Sequence, residues 1–404
     1  MLYLFILGRE PLLSLAEINS VLKKEKINFS LKAWATPFCV IESESILDVP
    51  FLMQELGGTI KISLVFNQIE TTPEMSSEKL AEAIKEKTLP LLKEKGAGNK
   101  KVFFGLSFYN HRTIKKNPSK FLKNLGLEIK NTLEKNGIKS RLVTSNEDNL
   151  SSVTVKMNKL LSPRGAEIIL ADDEKNIWLA ETKAVQPFDK FSERDFGRPG
   201  RDVFSGMLPP KLAKIMINLA ETIKTAKLLD PFCGSGTILT EAGLMNYKNL
   251  FGSDNSPKAI TDTEKNLAWG GGRAEIKVCD AQKLSECFQQ KFEAIITEPF
   301  LGPPLRGGEN KDQLLQTRKQ LTDLYSSSLK EFHKILTDGG TVVMIWPIIG
   351  EVNLPLKEKL KGIGWQIIPL LEKTAFTEEQ KTISYFRPEQ KVKREIVKLK
   401  KLPS

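Results

Sequence analysis

Four acidic residues close strand-like apolar runs in the second half of this chain: Asp230, Asp254, Asp280 and Glu298. The first sits in Leu228-Leu229-Asp230-Pro231-Phe232-Cys233-Gly234-Ser235-Gly236-Thr237, an apolar strand that enters a glycine turn which opens a helix. Glycine lets the backbone approach a ligand where a side chain would collide. The helix presents free N–H groups at its start, suited to a carboxylate or phosphate. This predicts a nucleoside-containing cofactor at the end of a first strand. Leu239 stands where a dinucleotide fingerprint needs its third glycine, and no Gly-Lys-Ser/Thr follows, so neither a dinucleotide fold nor a phosphate-cradling loop fits. Asp254 ends a second strand, where a carboxylate can accept both ribose hydroxyls. The plainer role for Asp254 is a helix cap, which Ser256 and Pro257 already supply.

The block Asp230-Pro231-Phe232-Cys233-Gly234-Ser235-Gly236-Thr237 resembles the first motif of S-adenosylmethionine-dependent amino-methyltransferases. In those enzymes the acid after the third strand, here Asp280, contacts adenine. The fourth strand leads into an Asp/Asn-Pro-Pro-aromatic motif, represented here by Glu298-Pro299-Phe300-Leu301. The lone pair of an exocyclic amine on a base is delocalised into the ring, so the amine is a weak nucleophile. A carboxylate and a backbone carbonyl that accept its two N–H bonds turn that pair toward a sulfonium methyl by alignment and electrostatics. An aromatic ring stacks on the extruded base. Glu298 is one methylene longer than the family acid and Phe300 replaces the second proline, so the acceptor must sit differently. A strand end with a proline-stiffened loop and no catalysis is the competing reading of this segment.

The elements that must position these residues follow from pattern. From residue 227 strands and helices alternate, which predicts a mostly parallel, doubly wound α/β sheet covered on both faces. Thr341–Trp346 reads as a fifth strand, and Trp365–Leu371 and Thr382–Phe386 as an edge hairpin. Leu212, Ile215, Met216, Leu219 and Ile223 follow a helical period, with Pro210 at the helix start. Residues 1–66 mix strands with a helix capped by Ser14, and an α+β arrangement continues to residue 180. Within it, Pro118–Asn136 is a helix dense in lysine, and Val153–Met157 reads as a strand. The resulting division is 1–70, 71–180, a linker over 181–204, a catalytic domain over 205–388, and a basic tail over 389–404.

The chain has 404 residues and a net charge of +11, which suits a polyanionic partner. Lys120, Lys123, Lys130 and Lys135 offer a surface that can follow a phosphate backbone, or an ordinary solvated helix face. The four cysteines show no CxxC pair, which argues against zinc ribbons and disulfide frameworks and for a reducing cytoplasm. The two histidines share no ligand spacing, so no metal site is expected. Leu2–Leu7 is too short for a signal peptide and lacks its basic flank, and no membrane span is present.

Taken together the chain is similar to the archaeal-type tRNA guanosine-10 N2-methyltransferase family and its eukaryotic relatives. The resemblance rests on the Gly-turn block, on Glu298-Pro299-Phe300-Leu301-Gly302, and on Ser205-Gly206-Met207-Leu208-Pro209-Pro210-Lys211-Leu212. It implies an N-terminal ferredoxin-like module and a THUMP domain that grips the tRNA acceptor end. The C-terminal Rossmann-like domain would then methylate an extruded guanosine. It implies that Asp230, Phe232, Gly234, Gly236 and Thr237 hold the methionine part of S-adenosylmethionine, Asp254 the ribose, and Asp280 with Ala281 the adenine. Glu298 and the Pro299 carbonyl would polarise the amine, and Phe300 would stack on the base. A small activating subunit is compatible with this scheme. Two alternatives stay open: an amino-methyltransferase of DNA or ribosomal RNA, and a tRNA-binding protein whose active site has decayed.

Overall fold

The computed structural model describes all residues except 99, 115–116, 201–206, 304–309, 350–351, 387–391 and 403–404. They form two compact units. One holds Met1–Pro11, Ile27–Gln54 and Gly58–Phe188; the other holds Leu12–Lys26, Glu55–Gly57 and Asp189–Ser404.

The N-terminal unit is built on strands β1 (Leu2–Leu7), β2 (Phe29–Ala35), β3 (Phe38–Ser43), β4 (Thr59–Glu70), β5 (Val102–Tyr109), β6 (Ser140–Val143), β7 (Gly165–Asp172) and β8 (Asn176–Val185). They form one sheet in the order β2-β3-β1-β4-β8-β7-β5-β6. The sheet is antiparallel except where β5 runs parallel to β6 and β7. The expected boundary at residue 70 falls at the end of β4, which pairs with β8, so the sheet continues across it. Of the first helices, α1 (Pro11–Lys24) clusters with the C-terminal unit, α2 (Val49–Glu55) follows β3, and α3 (Ser77–Lys95), α4 (Pro118–Lys135) and α5 (Ser152–Met157) belong to the N-terminal unit.

Local chemistry sets several helix ends. Ser76 caps α3 by accepting from the Lys79 N–H. α1 starts at Pro11, so Ser14 lies buried inside it rather than capping it. The segment 153–157 is helical instead of extended, because Ser151 accepts from the Thr154 N–H and starts a turn that overrides the β-branched composition. On α4, Leu122, Leu125, Ile129 and Leu133 face inward, while Lys120, Lys123 and Lys135 are exposed.

The C-terminal unit continues with α6 (Phe188–Phe196), α7 (Pro210–Leu219), β9 (Lys227–Asp230), α8 (Thr237–Leu244), β10 (Asn249–Asp254), α9 (Pro257–Trp269), β11 (Glu275–Val278), α10 (Leu284–Cys287) and β12 (Phe292–Thr297). It is completed by α11 (Lys311–Ile335), β13 (Leu336–Ile349), β14 (Val352–Asn353), α12 (Leu356–Ile363), β15 (Trp365–Ile368), β16 (Thr382–Tyr385) and β17 (Val392–Lys401). The strand order is β11-β10-β9-β12-β13-β17-β15, with β9 to β13 parallel as the alternation predicts. The linker read over 181–204 contains the end of β8 and all of α6. The helical stripe ends early: α7 stops at Leu219, and Ile223 is exposed.

The expected basic tail, 389–404, is a strand over its described part. β17 runs antiparallel to β13 and separates it from β15, and β16 also pairs with β17, so the expected edge hairpin is replaced. Two of its lysines are paired within the unit: Lys398 with Glu221, and Lys401 with Asp338. Phe292, Phe332, Trp346, Trp365 and Leu399 pack into one core cluster between sheet and helices. Burying each such side chain stabilises the unit by about 1.5–3 kcal/mol.

Candidate active site

β9, β10, β11 and β12 end at one edge of the C-terminal sheet, and the four carboxylates of the sequence reading lie there or on the turns that follow. The turn after β9 has left-handed backbone at Gly234 (φ 53°) and Gly236 (φ 78°). The two glycines serve different needs. A Cβ on Gly234 would meet nothing within 4 Å, so this glycine fronts open space; a Cβ on Gly236 would lie 2.7 Å from Thr263. Gly236 therefore allows α9 to pack against the turn, while Gly234 leaves room for a ligand.

Side chains that the motif reading did not select hold that turn. Thr263 donates to the Gly234 carbonyl at 2.7 Å, and Asn266 Nδ2 donates to the Ser235 carbonyl at 2.7 Å and to the Gly200 carbonyl at 2.8 Å. Both are buried on α9 beside Ile260 and Leu267. Polar residues on the inward face of an amphipathic helix were the available signal. Arg198 donates through Nη1 to the Thr237 hydroxyl at 2.5 Å, so the first helical residue of α8 is engaged by the connector.

Asp230 is buried and accepts at Oδ1 from the Thr297 hydroxyl at 2.7 Å and from the Phe232 N–H at 3.2 Å. Burial pushes its carboxyl up to about 7, against the pull of these two bonds, and the charges of Asp254 and Glu298 add to the rise. The Thr297 bond ties the end of β12 to the end of β9. Asp254 accepts from the Gly234 N–H at 3.0 Å and from the Ser256 N–H at 2.9 Å, so this carboxylate braces the glycine turn and the start of α9. Asp280 accepts from the Gln282 N–H at 2.9 Å, and Ala281 is buried beside it. A disulfide joins Cys279 to Cys287 across the turn that carries Asp280 and Ala281, which corrects the expectation that the cysteines stay unpaired. Cys39 and Cys233 are free and buried.

The loop after β12 departs from expectation most. The Glu298 carboxylate is bound by Arg394 of β17, Nε to Oε1 at 2.6 Å. Burial raises the Glu298 carboxyl above the usual carboxylate range, and the Arg394 guanidinium offsets part of that rise. Pro299 is buried. The Phe300 side chain is 57% exposed, while its carbonyl is fixed by the buried Tyr325 hydroxyl of α11 at 3.0 Å. Gly302 completes the bend at φ 98°. The basic stretch Leu305-Arg306-Gly307-Gly308 that follows lies outside the described residues. Among the described residues no cluster of metal-ligating side chains occurs, and no helix is long and apolar enough to cross a membrane.

Residues 198–352 match the RMKL-like methyltransferase domain family UPF0020. A tRNA (guanine(10)-N2)-dimethyltransferase of Methanothermobacter thermautotrophicus is 34% identical over 36% of this chain and 40% of its own length. One from Pyrococcus abyssi is 37% identical over 34% of this chain and 39% of its own length. The matches thus span about two fifths of these curated relatives. The structure of TrmN from Thermus thermophilus shares the fold across 100% of both chains, with a TM-score of 0.58 and 16% identity. Matching sequence, parallel sheet and glycine turn coincide over one stretch, and residues 198–352 are similar to the RMKL-like methyltransferase domain of UPF0020.

Proposed function

We propose that the protein is an S-adenosylmethionine-dependent RNA methyltransferase that acts on the 2-amino group of a guanosine in tRNA, with position 10 as the finer target. The observation that carries this reading is the Thr297–Asp230 bond, which joins the strand ending in the candidate amine-binding loop to the strand ending in the glycine turn. The guanine-N2 substrate comes from the relatives' names and from the Glu298-Pro299-Phe300 segment.

The residues present fit the cofactor. Open space fronts Gly234, three carboxylates line the strand ends, and Asp230 lies inside with no cation bound to it among the described contacts. When bound, S-adenosylmethionine supplies an electrophilic methyl on a sulfonium, and no metal is needed to activate it. Asp230 and the turn would hold the amino-acid end, Asp254 the ribose, and Asp280 with Ala281 the adenine edge. Glu298 would accept one N–H of the guanine amine and the Pro299 carbonyl the other, which aligns the lone pair. Exposed Phe300 would stack on the extruded base. The lysines of α4 would follow the tRNA backbone, in a cytoplasmic setting.

One observation favours the second reading, a tRNA-binding protein without turnover: Glu298 already has Arg394 as partner. Incubation with methyl-labelled cofactor and bulk tRNA, ribosomal RNA or DNA decides. Label in N2-methylguanosine of tRNA is the expected result. Tight tRNA binding with no cofactor heat in calorimetry would leave only the second reading.

A further inference from the structure

We propose that Arg394 is the positioning residue of the site: it keeps Glu298 ionised and fixes the direction of its carboxylate, so that β17 completes the active site. This rests on the reading of Glu298 as the acceptor for the target amine.

The argument begins with register. β17 runs antiparallel to β13, with Arg394 opposite Pro347. An antiparallel strand inserted next to a parallel set brings its beginning to the edge where the others end, so the first residues of β17 arrive at the catalytic edge. Tyr385 of β16 flanks Arg394 on the other side, which fixes the backbone from both directions. The Arg394 side chain is 5% exposed and that of Glu298 14%. A guanidinium so buried cannot turn to solvent, and its Nε is spent on Oε1.

The pairing also accounts for the unusual acid. Glutamate carries its carboxylate one methylene farther from the backbone than the aspartate or asparagine of the resembled motif. Arg394 meets it at that reach and holds Oε1, and Oε2 is the atom assigned to the amine. Among the described residues, three groups from three elements face Glu298. Arg394 of β17 attracts its charge, while Asp230 of β9 and the Tyr325 hydroxyl of α11 lie within its field. Only the first is cationic. Without it a buried carboxylate beside another acid takes up a proton, and a protonated acid presents a donor where the amine needs an acceptor.

The test compares Arg394→Met and Arg394→Lys with the unaltered protein by two readouts. Carbon-13 carboxyl NMR, with Glu298→Gln to assign the resonance, follows the titration of Glu298 without any need for turnover. The pH profile of kcat/KM on tRNA follows its use. Arg394→Met should raise the Glu298 midpoint, move the acidic limb of the profile to higher pH by a similar interval, and lower kcat near neutrality by about a hundredfold. Cofactor affinity should stay within about twofold. Arg394→Lys, which keeps the charge without the fork, should restore the midpoint and only part of kcat. If Arg394→Met does not fold, the Arg394→Lys split between midpoint and kcat decides. A Glu298 titration unmoved in Arg394→Met, or kcat unchanged in either variant, overturns the proposal. Failure of the unaltered protein to methylate any nucleic acid would refute the functional reading instead, and the NMR shift would still decide the pairing.

Discussion

Each unit contains a carboxylate buried against a cation, and one such pair from each, Lys61–Glu167 and Arg394–Glu298, is finished differently. In the N-terminal unit, Lys61 of β4 meets Glu167 of β7 at 2.5 Å with side chains 1% and 0% exposed. Lys61 also donates to the Leu150 carbonyl, and Glu167 accepts from Ser107 at one oxygen and Thr182 at the other. Three of that carboxylate's acceptor directions are taken by side chains of the fold. In the C-terminal unit Glu298 is 14% exposed, lies at a strand end, and is held at Oε1 by Arg394. Burial of charge therefore does not mark function by itself. The two pairs differ instead in how many donors each carboxylate already accepts from.

The sharpest way to break this contrast is truncation of the two acids. Glu298→Ala should lower turnover by about a thousandfold and leave cofactor affinity near normal, since the loss falls on transition-state alignment; radiolabel transfer and calorimetry measure the two. Full activity in that variant would mean the acid is misassigned. On the other side, Lys61→Met should leave Glu167 buried and uncompensated and cost about 3–5 kcal/mol in urea unfolding. Replacing Lys61 and Glu167 together by apolar residues of similar volume should recover most of that loss. A single variant as stable as the parent would erase the distinction between the pairs.

Asp230 is the intermediate case, buried with two hydrogen bonds and no bound cation among the described contacts. Its carboxyl is pushed up to about 7, while in the unfolded chain an aspartate titrates near 3.9. Between those values the folded protein keeps a proton that the unfolded chain has lost. The stability this group contributes is therefore full below about pH 4 and falls as pH rises toward 7. A cationic amino-acid end beside Asp230 should expel that proton. Cofactor titrations near pH 6 in buffers of different ionisation enthalpy should show net proton release, and Asp230→Asn should abolish it.

Asp254→Ala should weaken cofactor binding by about 10- to 100-fold, because the carboxylate is the one proposed for the ribose and it braces the Gly234 turn. The smallest effect belongs to charges that stay in solvent. Lys120→Gln or Lys123→Gln should reduce tRNA affinity several-fold at low salt, lower the slope against log salt by about one, and leave stability unchanged.

Much of the site was legible because its signals are local. A glycine turn after an apolar strand, acids at strand ends and an alternating pattern each depend on a few neighbouring residues. They placed β9 to β13 and all four carboxylates on one edge. The side chains that hold Glu298 and the glycine turn were not legible. Arg394, Thr263 and Asn266 reach the site from β17 and α9, and their types are ordinary for exposed elements.

The sequence alone determined the glycine turn, the parallel run of strands and the acids at their ends, since short-range sterics and periodicity specify them. Tertiary structure decided the rest. A lysine-rich tail became β17 because Glu221 and Asp338 neutralise Lys398 and Lys401 from distant positions. Helix α1 clusters with the C-terminal unit, where Glu17 accepts from Asn218 and from the Gly57 N–H. Charge reads as solvated until a partner far along the chain is brought beside it, and only packing brings it there.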